Sequence, residues 1–118
     1  MKNCMNFVHH NVRGLLESTH FEEISSTVLD SGRVDVCCVT ETYLRKGVNT
    51  NKSVAIDGFR IIRADWVGRK GDRNKGGGVA VYLKNCFKSR VLASSLDEKL
   101  NFKKIDFLIT EIFFGNRN

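Results

Sequence analysis

Two short segments, about thirty residues apart, each place an oxygen-bearing side chain at the end of a run that is typical of a buried strand. Asn11 lies near the end of the run 6–12, and Glu41 follows the run 34–39. If the two strands are neighbours in a parallel sheet, their carboxyl ends meet at one edge and bring the two side chains together. Carboxylate and amide oxygens suit Mg²⁺, which uses few protein ligands and keeps several waters. The pair therefore predicts a magnesium site, with Mn²⁺ as an alternative ion.

Both residues also have ordinary structural interpretations. Asparagine at the end of a strand commonly hydrogen-bonds within a turn, and Asn11 alone fits that role. Glu41 fits equally well as an exposed carboxylate, or as the partner of Arg13 or Arg45 in an ion pair. From the residue types alone, these interpretations and the metal site all stay open.

The segment between the two runs predicts the helix that makes the strands parallel. Thr19 can cap its first turn together with Glu22, and Gly32 is a suitable residue for its end. The apolar positions repeat at helical spacing and form one stripe, consisting of Phe21, Ile24, Val28 and Leu29. Strand, helix and strand form a βαβ unit, so strands one and two should be parallel, with both carboxyl ends at one edge.

The rest of the chain predicts four further strands separated by polar loops. The strands cover residues 58–63, 79–83, 88–92 and 105–114, and the glycines at 76–78 form a turn before the second of them. Strands three and four should form an antiparallel hairpin, from which the chain continues as a meander. The fold class is therefore α/β, with one mixed sheet that begins with a βαβ unit, in a single domain over residues 1–118.

The charge of the chain is unevenly distributed. The net charge is +6, but residues 1–59 carry six Lys and Arg against seven Asp and Glu, whereas residues 60–118 carry thirteen against six. The segment 60–90 alone holds nine basic and two acidic residues. Such a segment suits a polyanion such as a nucleic acid, because each cation placed near a phosphate releases a counterion. A solvated basic surface is the alternative.

Composition and cysteine usage exclude several classes of protein. Hydrophobic residues make up 42% of the chain and charged residues 27%, which is typical of a globular domain and not of a disordered one. No run reaches the roughly 18 apolar residues that cross a membrane. Residues 1–10 lack the features of a secretory signal, so we expect an intracellular protein with reduced thiols at Cys4, Cys37, Cys38 and Cys86.

The histidines do not form a recognised metal-binding pattern. His9 and His10 alternate between the two faces of a regular strand, so at most one of them can face the site. We expect each to be hydrogen-bonded. A zinc site that adds His20 has no known ligand spacing.

Four segments follow one another in an order and spacing that are fairly specific to one group of proteins. They are residues 11–15 (Asn-Val-Arg-Gly-Leu), 34–35 leading into 40–44 (Thr-Glu-Thr-Tyr-Leu), 58–63 (beginning Gly-Phe-Arg) and 76–84 (beginning Gly-Gly-Gly-Val-Ala). Together they resemble the endonuclease/exonuclease/phosphatase superfamily, and within it the apurinic-endonuclease-like nuclease domain of non-LTR (LINE-type) retrotransposons. The resemblance covers nearly the whole chain.

The resemblance implies a fold and a reaction. The fold would be the N-terminal part of a four-layered α/β sandwich, with the active site between two sheets. Asn11 would contact the active-site metal or its water, and Glu41 would be the direct Mg²⁺ ligand. The reaction would be hydrolysis of a DNA phosphodiester, which nicks target DNA so that its 3′ end primes reverse transcription in the nucleus. Nucleic-acid contacts are expected at Arg13, Tyr43, Arg63 and Lys75.

The resemblance also implies that part of the site is missing from these 118 residues. In the family, a tyrosine-proline, an Asp-x-Asn and a Ser-Asp-His motif lie beyond the region that ends here with Asn118, and they include the groups that activate water. Their flanking pattern is absent around Asp65, Asp72, Asp97 and Asp106. The chain is therefore expected to be an N-terminal half-domain, inactive alone, whose parent protein adds a C-terminal half and a reverse transcriptase domain. Its inner sheet face would be partly bare around Ile109 and Ile112.

Two alternative functions remain open. The first is a non-catalytic nucleic-acid-binding module that uses the basic segment 60–90. The second keeps the superfamily but changes the substrate to a phosphoinositide or a nucleotide, which a phosphatase would hydrolyse. The Thr-Glu-Thr-Tyr-Leu and Gly-Gly-Gly-Val-Ala patterns favour the retrotransposon nucleases over this second alternative.

Overall fold

The structure, a computed structural model, describes residues 4–45, 47–65, 77–96 and 106–113. Within these ranges the chain forms one α-helix, one 3₁₀ turn and six strands, which confirms the α/β class. In chain order they are β1 (Phe7–Asn11), α1 (His20–Ser31), β2 (Val36–Thr40), the 3₁₀ turn (Asn51–Val54), β3 (Phe59–Ala64), β4 (Val79–Lys84), β5 (Lys88–Ser94) and β6 (Leu108–Phe113). The predicted nucleic-acid contact at Lys75 lies outside the described residues.

Four strands form a mixed sheet in the order β1-β2-β4-β3. β1 and β2 are parallel, whereas β4 is antiparallel to both β2 and β3. The predicted βαβ unit and the predicted pairing of strands three and four are therefore confirmed. β5 and β6 are antiparallel and form a second, two-stranded sheet. The prediction of one mixed sheet was therefore wrong for these two strands.

The order of the strands differs from the predicted meander, because β4 lies between β2 and β3. Ala80, Tyr82 and Leu83 of β4 are all buried, which suits a central position with cover on both faces. β3 carries Arg60 and Arg63 and occupies the edge, where a charged side chain can reach around the sheet. The apolar character of β4 thus places it inside, although β3 precedes it in the chain.

The helix α1 packs on one face of the four-stranded sheet. Thr19 is its N-cap residue, as predicted, although its side chain makes no capping hydrogen bond to the described residues. Gly32 ends the helix with a left-handed backbone at φ 64°, as predicted. Ile24 and Val28 are buried, but Leu29 is 46% exposed, so the predicted apolar stripe was wrong at that position. Leu29 lies about 100° around the helix from its neighbour and therefore turns away from the sheet.

The main core lies between α1, the sheet and the turn at Asn51–Val54. Its buried members are Val12, Leu15, Ile24, Val28, Cys37, Val39, Leu44, Val54, Ile56 and Tyr82. Tyr82 is completely buried and donates its hydroxyl hydrogen to the carbonyl oxygen of Val54 at 2.6 Å, which ties the turn to β4.

Several large apolar side chains remain exposed outside this core. Phe7 shares the sheet face opposite α1 and is 62% exposed, because Val8, next to it, points into the core. In β6, Ile109 is 51% exposed and Ile112 is partly buried. Ile109 and Ile112 are three positions apart in one strand and point to opposite faces of β6, so the expected single bare face around both residues was wrong. Across the described ranges, no helix has the length and apolar character to span a membrane.

Candidate functional site

The candidate site lies at one end of the mixed sheet, where the carboxyl ends of the parallel strands β1 and β2 meet; we call this end the carboxyl edge. Asn11 is opposite Thr40, Thr40 is opposite Val79, and Val79 is opposite Ala64. These four residues form a row across the end of the sheet, and Glu41 follows Thr40 directly. The structure thus places the two predicted ligands, Asn11 and Glu41, at the same edge and on neighbouring strands.

Three loops are joined by backbone hydrogen bonds around the segment 41–43. On one side, the amides of Gly14 and Leu15 donate to the carbonyls of Glu41 and Thr42, at 2.7 and 2.9 Å. On the other side, the amides of Thr42 and Tyr43 donate to the carbonyls of Gly78 and Gly77, at 3.1 and 2.9 Å. The segment is therefore clamped between the loop after β1 and the residues that lead into β4.

The backbone of this segment is conformationally strained. Glu41 and Tyr43 have φ angles of 55° and 59°, and Arg13, in the adjacent loop, has 49°. For residues with a side chain, the left-handed region costs about 1 kcal/mol or more each. Such strain persists only where surrounding contacts enforce it, and it is concentrated at functional sites. Here the contacts that enforce it are the hydrogen bonds on both sides of Thr42, which is itself buried.

The Glu41 carboxylate is partly buried, and within the described part of the chain its Oε1 accepts a long hydrogen bond from the hydroxyl of Tyr43, at 3.4 Å. The ion pair with Arg13 or Arg45 that the sequence left open does not form, although both arginines are within the described residues. A half-buried carboxylate that has no cationic partner among the described residues can bind a cation there.

Asn11 has an exposed side chain at the end of β1, and the strand is fixed there by the amide of Val12, which donates to the Thr40 carbonyl at 3.0 Å. The Thr40 hydroxyl lies 3.1 Å from His9 Nε2. Asn11, Thr40 and Glu41 therefore bring amide, hydroxyl and carboxylate oxygens to one edge.

These donors fit Mg²⁺ better than zinc. Among the described residues, no group of three or more His, Cys, Asp or Glu side chains converges as a cage of protein ligands would require. Mg²⁺ does not need such a cage, since it is commonly bound through one or two carboxylates and several waters. The oxygen chemistry of Glu41 and Asn11 is therefore compatible with Mg²⁺, and the magnesium site stays a prediction.

The three histidines occupy different environments. His9 has the hydrogen-bonded role that we expected, through Thr40. His10 points to the other face, where its Nε2 is buried and has no hydrogen-bond partner within the described part of the chain. It lines a cavity of about 300 Å³ together with Asn11, His20 and Glu23. His20 Nδ1 lies 2.8 Å from the Gly14 carbonyl, so the loop after β1 is also tied to α1.

The predicted nucleic-acid contacts differ in how much of each side chain is exposed and in whether its charge is already paired within the protein. Arg13 is exposed in the loop after β1, and Tyr43 is half-buried beside Glu41. Arg63 has only 11% of its side chain exposed and forms a two-fold ion pair with Asp65, in which Nε donates to Oδ1 at 3.0 Å and Nη2 donates to Oδ2. Its Nη1 donates to Asn51 Oδ1 at 3.0 Å. The Arg63 charge is therefore largely compensated within the protein.

Two features of this edge were not predicted from the sequence. A cavity of about 410 Å³ is lined by Asn49, Asn51, Arg63 and Asp65, among others, and the only sequence signal for it was the Arg-x-Asp spacing at the end of β3. The second feature is Asp106, whose Oδ2 accepts a hydrogen bond from the Gly78 amide at 2.9 Å. No local pattern around Asp106 indicates this contact.

The chain matches no model of a known protein family, and no curated protein is similar to it at a significant level. Its function is therefore inferred from the motifs and from the geometry of this edge.

Proposed function

We propose that the chain is part of a Mg²⁺-dependent DNA endonuclease of the endonuclease/exonuclease/phosphatase superfamily, of the kind that nicks target DNA for retrotransposon integration. The observation that carries the proposal is the environment of Glu41. Glu41 directly follows Thr40, which is opposite Asn11 at the carboxyl ends of a parallel strand pair, and its strained backbone is held by two neighbouring loops. Ligands of α/β sheets bind at this edge, and backbone strain of this kind favours a functional site over an ordinary turn.

The proposal includes a larger fold, a four-layered α/β sandwich in which α1 and the mixed sheet would be two adjacent layers. Supporting this, the sheet face opposite α1 carries apolar side chains that are incompletely covered, with Phe7 at 62% exposure. An apolar sheet face of this kind is normally packed against another layer.

Within the proposed site, each group has a distinct task. Glu41 and Asn11 would hold the ion, and Tyr43 orients the Glu41 carboxylate through its hydroxyl. A bound Mg²⁺ would neutralise charge on the phosphoryl oxygens and on the leaving alkoxide. Arg13, exposed beside the clamped segment, would attract the DNA backbone. Activation of water is assigned to the Asp-x-Asn and Ser-Asp-His motifs of the family, so we expect metal binding by this chain without nicking.

Titration of the chain with Mn²⁺, followed by electron paramagnetic resonance, tests the metal site. We expect weak, saturable binding that Mg²⁺ displaces and that Glu41→Gln removes. Glu22→Gln is the matched control, because Glu22 is an exposed carboxylate on α1, and this variant should bind as the wild type does. Equal binding by Glu41→Gln and the wild type would rule out Glu41 as the ligand.

A second candidate function, a non-catalytic nucleic-acid-binding module, is supported by the net charge of +6 and by the exposed position of Arg13. The two proposals differ in their dependence on Mg²⁺. DNA binding that is insensitive both to Mg²⁺ and to Glu41→Gln, but falls steeply with salt, would favour the module.

A further inference from the structure

Within the described residues, an acidic side chain just before the second strand of the second sheet, Asp106, contacts the candidate site. Asp106 directly precedes Phe107, which is fixed to the end of the β5 segment: the Ser95 amide donates to the Phe107 carbonyl at 2.9 Å, and the Phe107 amide donates to Ser95 Oγ at 3.1 Å. From this anchored position Asp106 accepts the hydrogen bond from Gly78, which precedes β4 in the first sheet. The contact joins residues 28 positions apart and links the two sheets at the edge where Glu41 lies.

Gly78 is one step away from the clamped segment. Its amide donates to Asp106, while its carbonyl accepts the amide of Thr42 at 3.1 Å. The carbonyl of Gly77 accepts the amide of Tyr43 at 2.9 Å. A continuous series of hydrogen bonds therefore runs from the Asp106 carboxylate, through the two glycines, to the residues that follow Glu41.

The two glycines need such an anchor for a physical reason. Gly77 and Gly78 have φ angles of 101° and 89°, a region that glycine enters and leaves with little steric resistance. Two residues of this kind cannot by themselves hold Thr42 and Tyr43 in one position. The acceptor oxygen of Asp106 fixes the Gly78 amide, and because that amide and the Gly77 carbonyl belong to one planar peptide unit, it also fixes the direction of the Gly77 carbonyl.

We propose that Asp106 is a positioning residue for the Glu41 metal site, and this inference rests on the proposed function. Asp106 does not coordinate the ion in this proposal. It holds Gly77 and Gly78 so that their carbonyls keep Thr42 and Tyr43, and with them the left-handed backbone of Glu41, in place. Loss of a hydrogen bond that orients a metal ligand commonly lowers metal affinity by about tenfold or more, and Asp106 supports the segment that carries the ligand.

Amide hydrogen exchange, measured by NMR on the full chain, tests the positioning directly. Asp106→Ala should speed exchange at the amides of Gly78, Thr42 and Tyr43 by about tenfold or more, while the amides of Lys84 and Asn85, at the opposite end of the sheet, keep the wild-type rate. Asp106→Asn retains an acceptor oxygen and should preserve protection at all three amides. If Thr42 and Tyr43 exchange as in the wild type when Asp106 is alanine, the proposal is wrong.

Asp106→Glu provides a second comparison in case the alanine variant unfolds. Glutamate keeps the charge but moves the acceptor by one methylene, so it should weaken protection at Thr42 and Tyr43, whereas asparagine should not. Equal protection in the asparagine and glutamate variants, or lost protection in asparagine alone, overturns the role of the hydrogen bond.

Mn²⁺ affinity of the same variants separates this inference from the proposed function. We expect Asp106→Ala to bind Mn²⁺ about tenfold more weakly and Asp106→Asn to stay within about threefold of the wild type. If the wild type itself does not bind Mn²⁺, the proposed function fails, while the exchange rates still decide whether Asp106 positions the segment. If the alanine variant binds Mn²⁺ normally despite faster exchange, Asp106 does not position the metal site.

Discussion

The hydroxyl of Tyr43 donates a hydrogen bond to Oε1 of Glu41 at 3.4 Å across one intervening residue, the buried Thr42. In an extended strand, residues two apart share a face but have no reason to converge. Here both residues have left-handed backbones, so the segment folds back and brings the phenol to the carboxylate. This long hydrogen bond favours one orientation of the Glu41 carboxylate before any ion is bound.

Replacing Tyr43 by phenylalanine should weaken ion binding without unfolding the protein. Because the hydrogen bond is long, it contributes about 0.5 kcal/mol, the low end for a hydrogen bond, which corresponds to roughly a twofold loss of affinity for Mn²⁺. Calorimetric or resonance titration measures the change. Tyr43→Phe with unchanged Mn²⁺ affinity would show that the phenol does not orient Glu41.

The other tyrosine should behave in the opposite way. Tyr82→Phe removes the hydrogen bond to Val54 and leaves a buried carbonyl without its partner, which should lower the free energy of unfolding by about 1–3 kcal/mol. Its Mn²⁺ affinity should not change, because β4 residue Tyr82 faces the core on the α1 side. Urea denaturation and Mn²⁺ titration of both tyrosine variants would show whether stability and binding separate in this manner.

The strained backbone of Glu41 predicts an unusual preference for glycine. Because φ is 55° there, Glu41→Gly should be more stable than Glu41→Ala by about 1 kcal/mol, measured by urea denaturation. The same pair of substitutions at Glu22, in the first turn of α1, should give the reverse order by about 1 kcal/mol. An alanine variant as stable as the glycine variant at position 41 would contradict the left-handed conformation.

The two arginines proposed as nucleic-acid contacts should differ in their effect on DNA binding. Arg13→Gln should weaken binding to duplex DNA and reduce the slope of log affinity against log salt by about one, as expected for one lost phosphate contact. The double variant Arg63→Gln/Asp65→Asn should leave that slope nearly unchanged, because it removes two charges that compensate each other. A loss of slope in this double variant equal to that in Arg13→Gln would mean that the ion pair opens when DNA binds.

Stability should fall at alkaline pH, and Cys37 should account for part of the loss. Burial, with a smaller effect from Cys38, raises the pKa of the Cys37 thiol from 9.0 to about 12. Below pH 9 the thiol is protonated in both the folded and the unfolded protein, so its burial contributes fully to the free energy of unfolding. That contribution is lost as the pH rises from 9 towards about 12, because only the unfolded chain releases the proton.

Urea denaturation at a series of pH values measures this effect. Cys37→Ala should reduce the alkaline loss, although not abolish it, because burial also raises the pKa of Tyr82. Thiol reagents give an independent check: the exposed Cys4 and Cys86 should react at once, and Cys37 only as the chain unfolds. An identical pH dependence in the wild type and Cys37→Ala would contradict the assignment.

Local sequence patterns determined the first half of the fold and the location of the candidate site. The helical spacing of Ile24 and Val28 and the glycine at position 32 predict α1 between two strands, and a βαβ unit has one favoured geometry. The parallel pairing of β1 with β2 follows, and with it the position of Asn11 and Glu41 at one edge. These inferences succeed because each helix or strand is identified by a local pattern, and the favoured geometry of a βαβ unit then sets the pairing of the strands.

Only the tertiary structure decided which strand lies in the centre, and what holds Glu41. β4 lies between β2 and β3, and its side chains are more completely buried than those of β3. Choosing between the two strands requires comparing distant segments, and no local sequence pattern makes that comparison. The left-handed backbone of Glu41 is imposed by carbonyls and amides of Gly14, Gly77 and Gly78, and Gly78 in turn depends on Asp106, 28 residues later. Backbone hydrogen bonds between distant loops depend on where the chain folds and hardly on residue type, so they leave no signature in the sequence.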